Sequence, residues 1–347
     1  MDKNERLERL RDAIRKNEKI GPKKVMISPT DYCNLKCKIC WRLSKEEKYD
    51  ELTLEQIDSL LKECKELGVK VIDFTGGGEP FLRKDIFEIM KLIKKYGLFG
   101  TLTTNGILLD EQKLKKIIEL QLDDICFSLD GHTAEINDEI RGAGVFDKVI
   151  RSIKTLNELK KENSSEKPIV RIGTVITKKN YRDLDKIVEL ATELGVKAIN
   201  FSVLIEWKTN EKFWLRDVNK NEIKKALEKT EQECKKLGVN SNISSIIKYG
   251  LFEHGLPKFC FAPWDMAFIN ASGDVMACCT LASLYENLLG NVKDSGFTKI
   301  WFGPKMKKFR DSIKKGNFHK ECVKCIPEFM ETYNKIHEKM GVNNRGI

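Results

Sequence analysis

Apolar positions along the first two thirds of this 347-residue chain alternate between two rhythms. Short apolar runs at Val25–Ser28, Val71–Thr75, Gly100–Thr104, Ile125–Leu129, Val170–Ile176 and Ile199–Leu204 read as buried strands. Between them, apolar residues recur every three or four positions. This predicts amphipathic helices at Leu54–Leu67, Ile86–Tyr96, Gln112–Leu120, Phe146–Leu159 and Leu184–Leu194. A strand-then-helix order implies an α/β fold whose parallel sheet has right-handed crossovers. Six such units are too few for a closed eight-stranded barrel, so an open, partial (β/α)6 barrel is expected. Residues 3–19 predict a short polar helix with Leu7, Leu10 and Ile14 on one face, and 220–237 a Lys/Glu-rich helix. Then the pattern changes to a hairpin over Met266–Met276, turning at Ser272-Gly273-Asp274, among scattered aromatics and cysteines. The expected division is an N-terminal extension at 1–22, a barrel at 23–215, a linking helical region at 216–250 and a small α+β domain at 251–347.

Composition narrows the class. Hydrophobic residues are 41% of the chain, enough for a real core, yet no apolar run reaches the roughly 18–20 residues that span a bilayer. The N-terminus is too charged for a secretory signal, so a cytoplasmic protein is expected. The 62 basic and 52 acidic residues leave a net charge of +10, which could favour an anionic partner. Mixed Lys and Glu coating a soluble surface is the simpler reading, and nucleic acid is not expected as a partner. Disulfides are not expected in a reducing compartment, so the 11 cysteines are read by their clustering.

Cys33, Cys37 and Cys40 fall in one loop after the first strand, at the end of a parallel sheet where active sites gather. Three thiolates can hold three irons of a four-iron cluster and leave the fourth open to a ligand. Zinc is the alternative, but a structural zinc site wants four ligands. The nearest further cysteine, Cys64, shares an apolar helix face with Ile57, Leu60, Leu61 and Leu67 and reads as core. Cys126 and Cys234 also read as packed thiols. Three further segments follow at strand ends: Thr75-Gly76-Gly77-Gly78-Glu79-Pro80, Thr103-Thr104-Asn105-Gly106 and Ser128-Leu129-Asp130-Gly131, the last leading into Asn137-Asp138 and Ile140-Arg141-Gly142. Glycines let a backbone approach a ligand closely, and an arginine grips a carboxylate with two parallel hydrogen bonds.

The CxxxCxxC spacing with Ile39 before its last cysteine, together with these segments in this order, resembles the radical SAM superfamily. The resemblance implies a SAM-binding [4Fe–4S] cluster on Cys33, Cys37 and Cys40. It implies cofactor contacts at Ile39, at Gly77, Gly78 and Glu79 toward the methionine amino group, at Ser128, and at Arg141 toward the carboxylate. The later Cys260, the Gly273–Cys278 turn and Cys322-Val323-Lys324-Cys325 resemble the SPASM or twitch domains that follow such barrels. Cys260, Cys278, Cys322 and Cys325 would then close one auxiliary [4Fe–4S] cluster. Cys279 rivals Cys278, and a zinc ribbon is the alternative site.

The resemblance further implies reductive cleavage of S-adenosylmethionine to a 5′-deoxyadenosyl radical, which takes hydrogen from a substrate. A reductant such as flavodoxin or ferredoxin would supply the electron. Relatives act on peptides or proteins and on small molecules, and a lipid or phosphorylated metabolite is a further possibility. Only about 22 residues precede the first strand, too few for a leader-binding domain by ordinary domain size. Glu206, Trp207 and Trp214 are candidate pocket residues. A non-catalytic metal-binding or electron-transfer protein is the alternative of a different class.

Overall fold

Six β-strands run parallel, each followed by helix, in a computed structural model that describes residues 3–16, 19–44, 50–206, 208–249, 260–282, 288–319 and 322. The strands are β1 (Lys24–Ile27), β2 (Val71–Phe74), β3 (Phe99–Thr104), β4 (Asp124–Ser128), β5 (Ile169–Ile176) and β6 (Ala198–Val203). The helices up to β6 are α1 (Lys3–Lys16), α2 (Leu54–Glu66), α3 (Ile86–Lys95), α4 (Glu111–Glu119), α5 (Ala134–Arg141), α6 (Val145–Glu162) and α7 (Leu184–Glu193). Sequence explains their starts. Thr53 and Gln56 cap α2 reciprocally, and Asp110 and Thr133 accept from the first turns of α4 and α5. In α2, Ile57, Leu60, Leu61 and Cys64 fall on one buried face, so Cys64 is core as its helical spacing suggests.

The rest of the chain extends this sheet. After α8 (Lys220–Leu237) come β7 (Asn240–Ser241), α9 (Ile243–Tyr249), α10 (Ala262–Asp265), β8 (Met266–Ile269), β9 (Asp274–Met276), α11 (Cys279–Ala282) and β10 (Gly290–Asn291). Helices α12 (Val292–Ser295), α13 (Phe297–Trp301) and α14 (Pro304–Lys314) follow. The hairpin expected at Met266–Met276 is β8–β9. Its first strand pairs in parallel with β1, Lys24 opposite Met266, so ten strands form one sheet in the order β10-β9-β8-β1-β2-β3-β4-β5-β6-β7. Glu63 of α2 strengthens the join by accepting from the amides of Phe297 and Thr298 at the start of α13.

The two sheet faces differ. Val25, Ile27, Ile72, Phe74, Ile125, Phe127 and Ile172 pack with the helices into the main core. Residues of opposite parity build a polar inner face. There Lys24 pairs with Asp73, Arg171 Nε donates to Asp124 Oδ2 at 2.7 Å, and Thr101 Oγ1 donates to Asp124 Oδ1 at 2.7 Å. Cys126 lies on this face. A Cβ on Gly173 would come within 3.0 Å of its Sγ.

Among the described residues no helix is long and apolar enough to cross a membrane. Leu10 and Ile14 of α1 pack with Phe261, Trp264 and Ile313, so the N-terminal helix rests on the C-terminal part of the chain.

Candidate functional site

The loop after β1 can gather three thiols because its exposure alternates. Tyr32, Asn34, Lys36 and Lys38 face solvent, while Cys33, Leu35, Cys37 and Ile39 are half-buried. Leu35 anchors on the main core, and Ile39 packs with Ile140, Leu204 and Phe213. The Cys40 amide donates to the Cys37 carbonyl and the Lys38 amide to the Ile140 carbonyl, each at 2.9 Å. The first closes a turn within the loop, and the second ties the loop to the end of α5. Burial pushes the Cys37 thiol up to about 11; Arg141 opposes that rise, while Cys40, Asp130 and Cys33 add to it. Cys33 is also raised, by burial first, against the Leu35 amide. A cationic guest would reverse this balance and release protons on binding. Among the described residues, no three Cys, His, Asp or Glu side chains converge as they would on one metal ion. Zinc thiolates would stand within ~4 Å of one another. Three half-buried thiols in one loop are a donor set whose chemistry suits an iron–sulfur cluster.

The glycine segment is pressed against this loop. The Gly78 amide donates to the Thr30 carbonyl at 2.6 Å and the Glu79 amide to the Tyr32 carbonyl at 2.7 Å. A Cβ on Gly77 would lie 1.8 Å from Ser28 Oγ, and one on Gly78 1.7 Å from the Tyr32 carbonyl oxygen. Only glycine fits at either position.

Glu79 departs from the expected arrangement. Its side chain is buried and turned inward. Oε1 accepts from the Phe81 amide at 3.2 Å and Thr104 Oγ1 at 2.7 Å, and Oε2 from the Asn105 amide at 2.7 Å. Burial raises its pKa against those three donors. The carboxylate thus locks the second and third strand-end loops together rather than facing a ligand. Among the described residues nothing donates to the carbonyls of Gly77 and Gly78. The Thr104-Asn105 segment, an ordinary turn by sequence, is what engages Glu79, and Asn105 Nδ2 donates to Asn34 Oδ1 at 2.8 Å.

Arg141 ends α5 and faces Asp130, with Nε 2.8 Å from Oδ2. Asp130 is fully buried, and its Oδ1 accepts from the Val175 amide at 2.7 Å. Burial pushes the Asp130 carboxyl up, against Arg141 and the Val175 amide. Burial opposes the charge on Arg141, but Asp130 and then Cys37 outweigh it and raise its pKa. Asn137 fixes the helix over the strand end by accepting from the Asp130 amide at 3.0 Å. The sequence pattern assigns no role to Asp130 or Asn137. The signal was a carboxylate just past a strand, with nothing local to show that α5 folds back over it. Ser128 ends β4, half-buried, on the same face as Cys126.

The second cysteine group divides. Cys260 and Cys278 pack against one apolar cluster with Phe261, Trp264 and Phe318. Cys279 packs on the other side, with Met26, Phe268 and Met276 of the inner face. Cys322 is half-buried, its amide donating to the His319 carbonyl at 2.9 Å. Cys325 and Trp207 lie outside the described residues. Cys234 is core, accepting from Ser241 Oγ at 3.4 Å. Trp214 Nε1 donates to Asn210 Oδ1 at 2.6 Å.

Known proteins give the site a context. Residues 27–191 match the radical SAM superfamily, and residues 260–326 match an iron–sulfur cluster-binding domain, SPASM. The chain is 28% identical to the AdoMet-dependent heme synthase of Oleidesulfovibrio alaskensis, over 85% of this chain and 78% of that protein. It is 31% identical to the mycofactocin maturase MftC of Mycobacterium tuberculosis, over 47% of this chain and 40% of that protein. Streptococcus suis SuiB bound to the precursor peptide SuiA shares the fold, with a TM-score of 0.70 at 19% identity over 86% of this chain and 69% of that chain.

Proposed function

From its place in the radical SAM superfamily, with an iron–sulfur cluster-binding domain at its C-terminal end, we propose that this enzyme holds its SAM-cleaving [4Fe–4S] cluster on Cys33, Cys37 and Cys40. When bound, cluster and SAM supply a 5′-deoxyadenosyl radical on one-electron reduction, and the protein aligns them and excludes competing reactions. The observation that carries the residue assignment is the stitching of three loops into one rim: cysteine loop to glycine loop, glycine loop to Thr104-Asn105, and cysteine loop to α5.

Each residue then has a definable task. The Gly77 and Gly78 carbonyls accept from the cofactor ammonium, while Glu79 holds their loop in place. Arg141, oriented by Asp130, takes the cofactor carboxylate. Ile39 and its apolar partners flank the adenine, and Ser128 contacts the cofactor from β4. Residues 23–215 act as the barrel module and 251–347 as the auxiliary module, joined by 216–250. Cys260, Cys278, Cys322 and Cys325 close one auxiliary [4Fe–4S] cluster. Cys278→Ala is expected to lower bound iron by about four per chain, and Cys279→Ala to leave it unchanged. Iron and sulfide analysis after anaerobic reconstitution checks this; equal losses in both variants would refute the assignment.

The ion-paired inner face disfavours an apolar lipid chain and suits a polar substrate. A peptide segment is the first reading, supported by likeness to a maturase and to a fold that holds a precursor peptide. A tetrapyrrole is the second, favoured by the heme-synthase likeness along most of the chain. The enzyme's basic activity is tested by adding SAM and dithionite to the reconstituted protein and assaying 5′-deoxyadenosine. Its absence, with a cluster spectrum indifferent to SAM, would sink the reading. Deuterium passing into 5′-deoxyadenosine from a labelled peptide selects the first substrate class. Transfer from a labelled tetrapyrrole selects the second.

A further inference from the structure

Cleaving SAM reductively consumes one electron, which must reach a cluster seated in a surface loop. Beside that loop lies an open cleft of about 770 Å³ between α5, the turn after β5 and the start of α8. Five cations line it: Lys38, Lys178, Lys179, Arg182 and Lys212. Two are neutralised within the protein, Lys179 by Glu139 at 2.7 Å and Arg182 by Glu222 at 2.7 Å. Lys38, Lys178 and Lys212 are exposed, and among the described residues none has an acidic partner within salt-bridge distance. Asp217 is the one further acid lining the cleft. Lys38 lies between Cys37 and Cys40, and the hydrogen bond its amide donates to the Ile140 carbonyl fastens that wall of the cleft to the cluster loop. The backbone on the opposite wall is also fixed, since the Lys178 amide donates to the Phe213 carbonyl at 2.9 Å.

We propose that this cleft is the docking surface for an acidic one-electron carrier protein. The proposal rests on the reading of Cys33, Cys37 and Cys40 as the SAM-cleaving site. The carrier is oxidised by one electron and the cluster beside Lys38 is reduced by one. Lys38, Lys178 and Lys212, offset only by Asp217, steer a negatively charged partner and orient it with its redox centre toward the loop. Electron-transfer encounters need only a small interface, below about 1,200 Å², so one cleft with its rim suffices. A small phosphorylated molecule is the competing occupant.

The test uses the reconstituted enzyme and a ferredoxin of strongly negative net charge. Affinity for the oxidised carrier is measured by fluorescence titration, and 5′-deoxyadenosine is assayed with reduced carrier or dithionite. Lys178→Glu/Lys212→Glu should weaken carrier affinity at least tenfold, as should raising the salt for the unmutated enzyme. The carrier-driven rate should fall in proportion, and the dithionite-driven rate should not change. Lys38→Glu should add to the loss of affinity. Unchanged carrier affinity in the double variant, with dithionite cleavage intact, overturns the docking site alone. Binding of inorganic phosphate in place of the carrier overturns it in favour of a small anion. Failure of dithionite-driven cleavage in the unmutated enzyme overturns the underlying site assignment, and the docking site with it.

Discussion

Alanine at Cys33, Cys37 and Cys40 together is expected to leave a folded protein that forms no 5′-deoxyadenosine. These thiols are half-buried on a loop and contribute little to the core, whose mass lies between the sheet and its helices. Each substitution should therefore cost about 1 kcal/mol or less of stability. Chemistry is another matter, because neither Cys64 nor Cys126 is placed to substitute. Cys64 is sealed in the α2 core, and Cys126 lies on β4 beside Gly173. Bound iron should fall from about eight to about four per chain, the auxiliary cluster remaining. The cleavage rate should drop by at least about a thousandfold, to the level of SAM and dithionite without enzyme. Thermal melting, iron analysis and chromatography of the nucleoside product check the three statements. A variant that keeps both the iron and the product would remove the trio from the site.

Asp130→Asn should affect both stability and cofactor binding. The amide keeps the side chain's volume and can still accept from the Val175 amide, but Arg141 loses its counter-charge. A cation left buried without its partner costs about 3–5 kcal/mol. Relieved of Asp130, the guanidinium also loses the constraint that orients it at the end of α5. The KM for SAM should rise, and kcat/KM should fall about 10- to 100-fold, in the range of losses when a supporting partner is removed from a liganding group. Arg141→Lys with Asp130 intact separates the two effects. It keeps the charge pair and loses the two-pronged grip, so stability should hold while KM rises. If Asp130→Asn lowers the melting temperature and leaves the KM for SAM unchanged, Asp130 is structural only.

Local pattern made much of this molecule legible. Six strand–helix units are readable because each strand buries one continuous apolar face and each helix repeats its own. The cysteine loop is readable because spacing within one loop survives folding unchanged. Long-range placement is less visible. Nothing near Lys24 or Met266 announces that they lie side by side, since a four-residue strand carries no mark of its partner. Helix α5 has only Asn137 and Ile140 buried, too sparse a pattern to call, yet it carries Arg141 to Asp130. The family resemblance implies a cofactor contact at Glu79; its inward turn depends on Thr104 and Asn105, supplied by another strand and invisible in the local sequence. The choice between Cys278 and Cys279 was open in sequence because adjacent residues can point to opposite sides. In the fold Cys278 packs with Cys260, whereas Cys279 packs with Met26, Phe268 and Met276.

The pairing of β1 with β8 also sets a timetable for synthesis. On the ribosome, β1 emerges roughly 240 residues before its second neighbour, about 12 to 50 seconds at ordinary rates of chain elongation. For that interval the Lys24–Ile27 edge has β2 on one side and bare hydrogen-bonding groups on the other. An open edge is a template for pairing with another nascent chain. Any product terminated before Met266 would keep that edge for good. Expression of the barrel alone should therefore tend toward aggregates, and the last strands to be made act as the seal on the first.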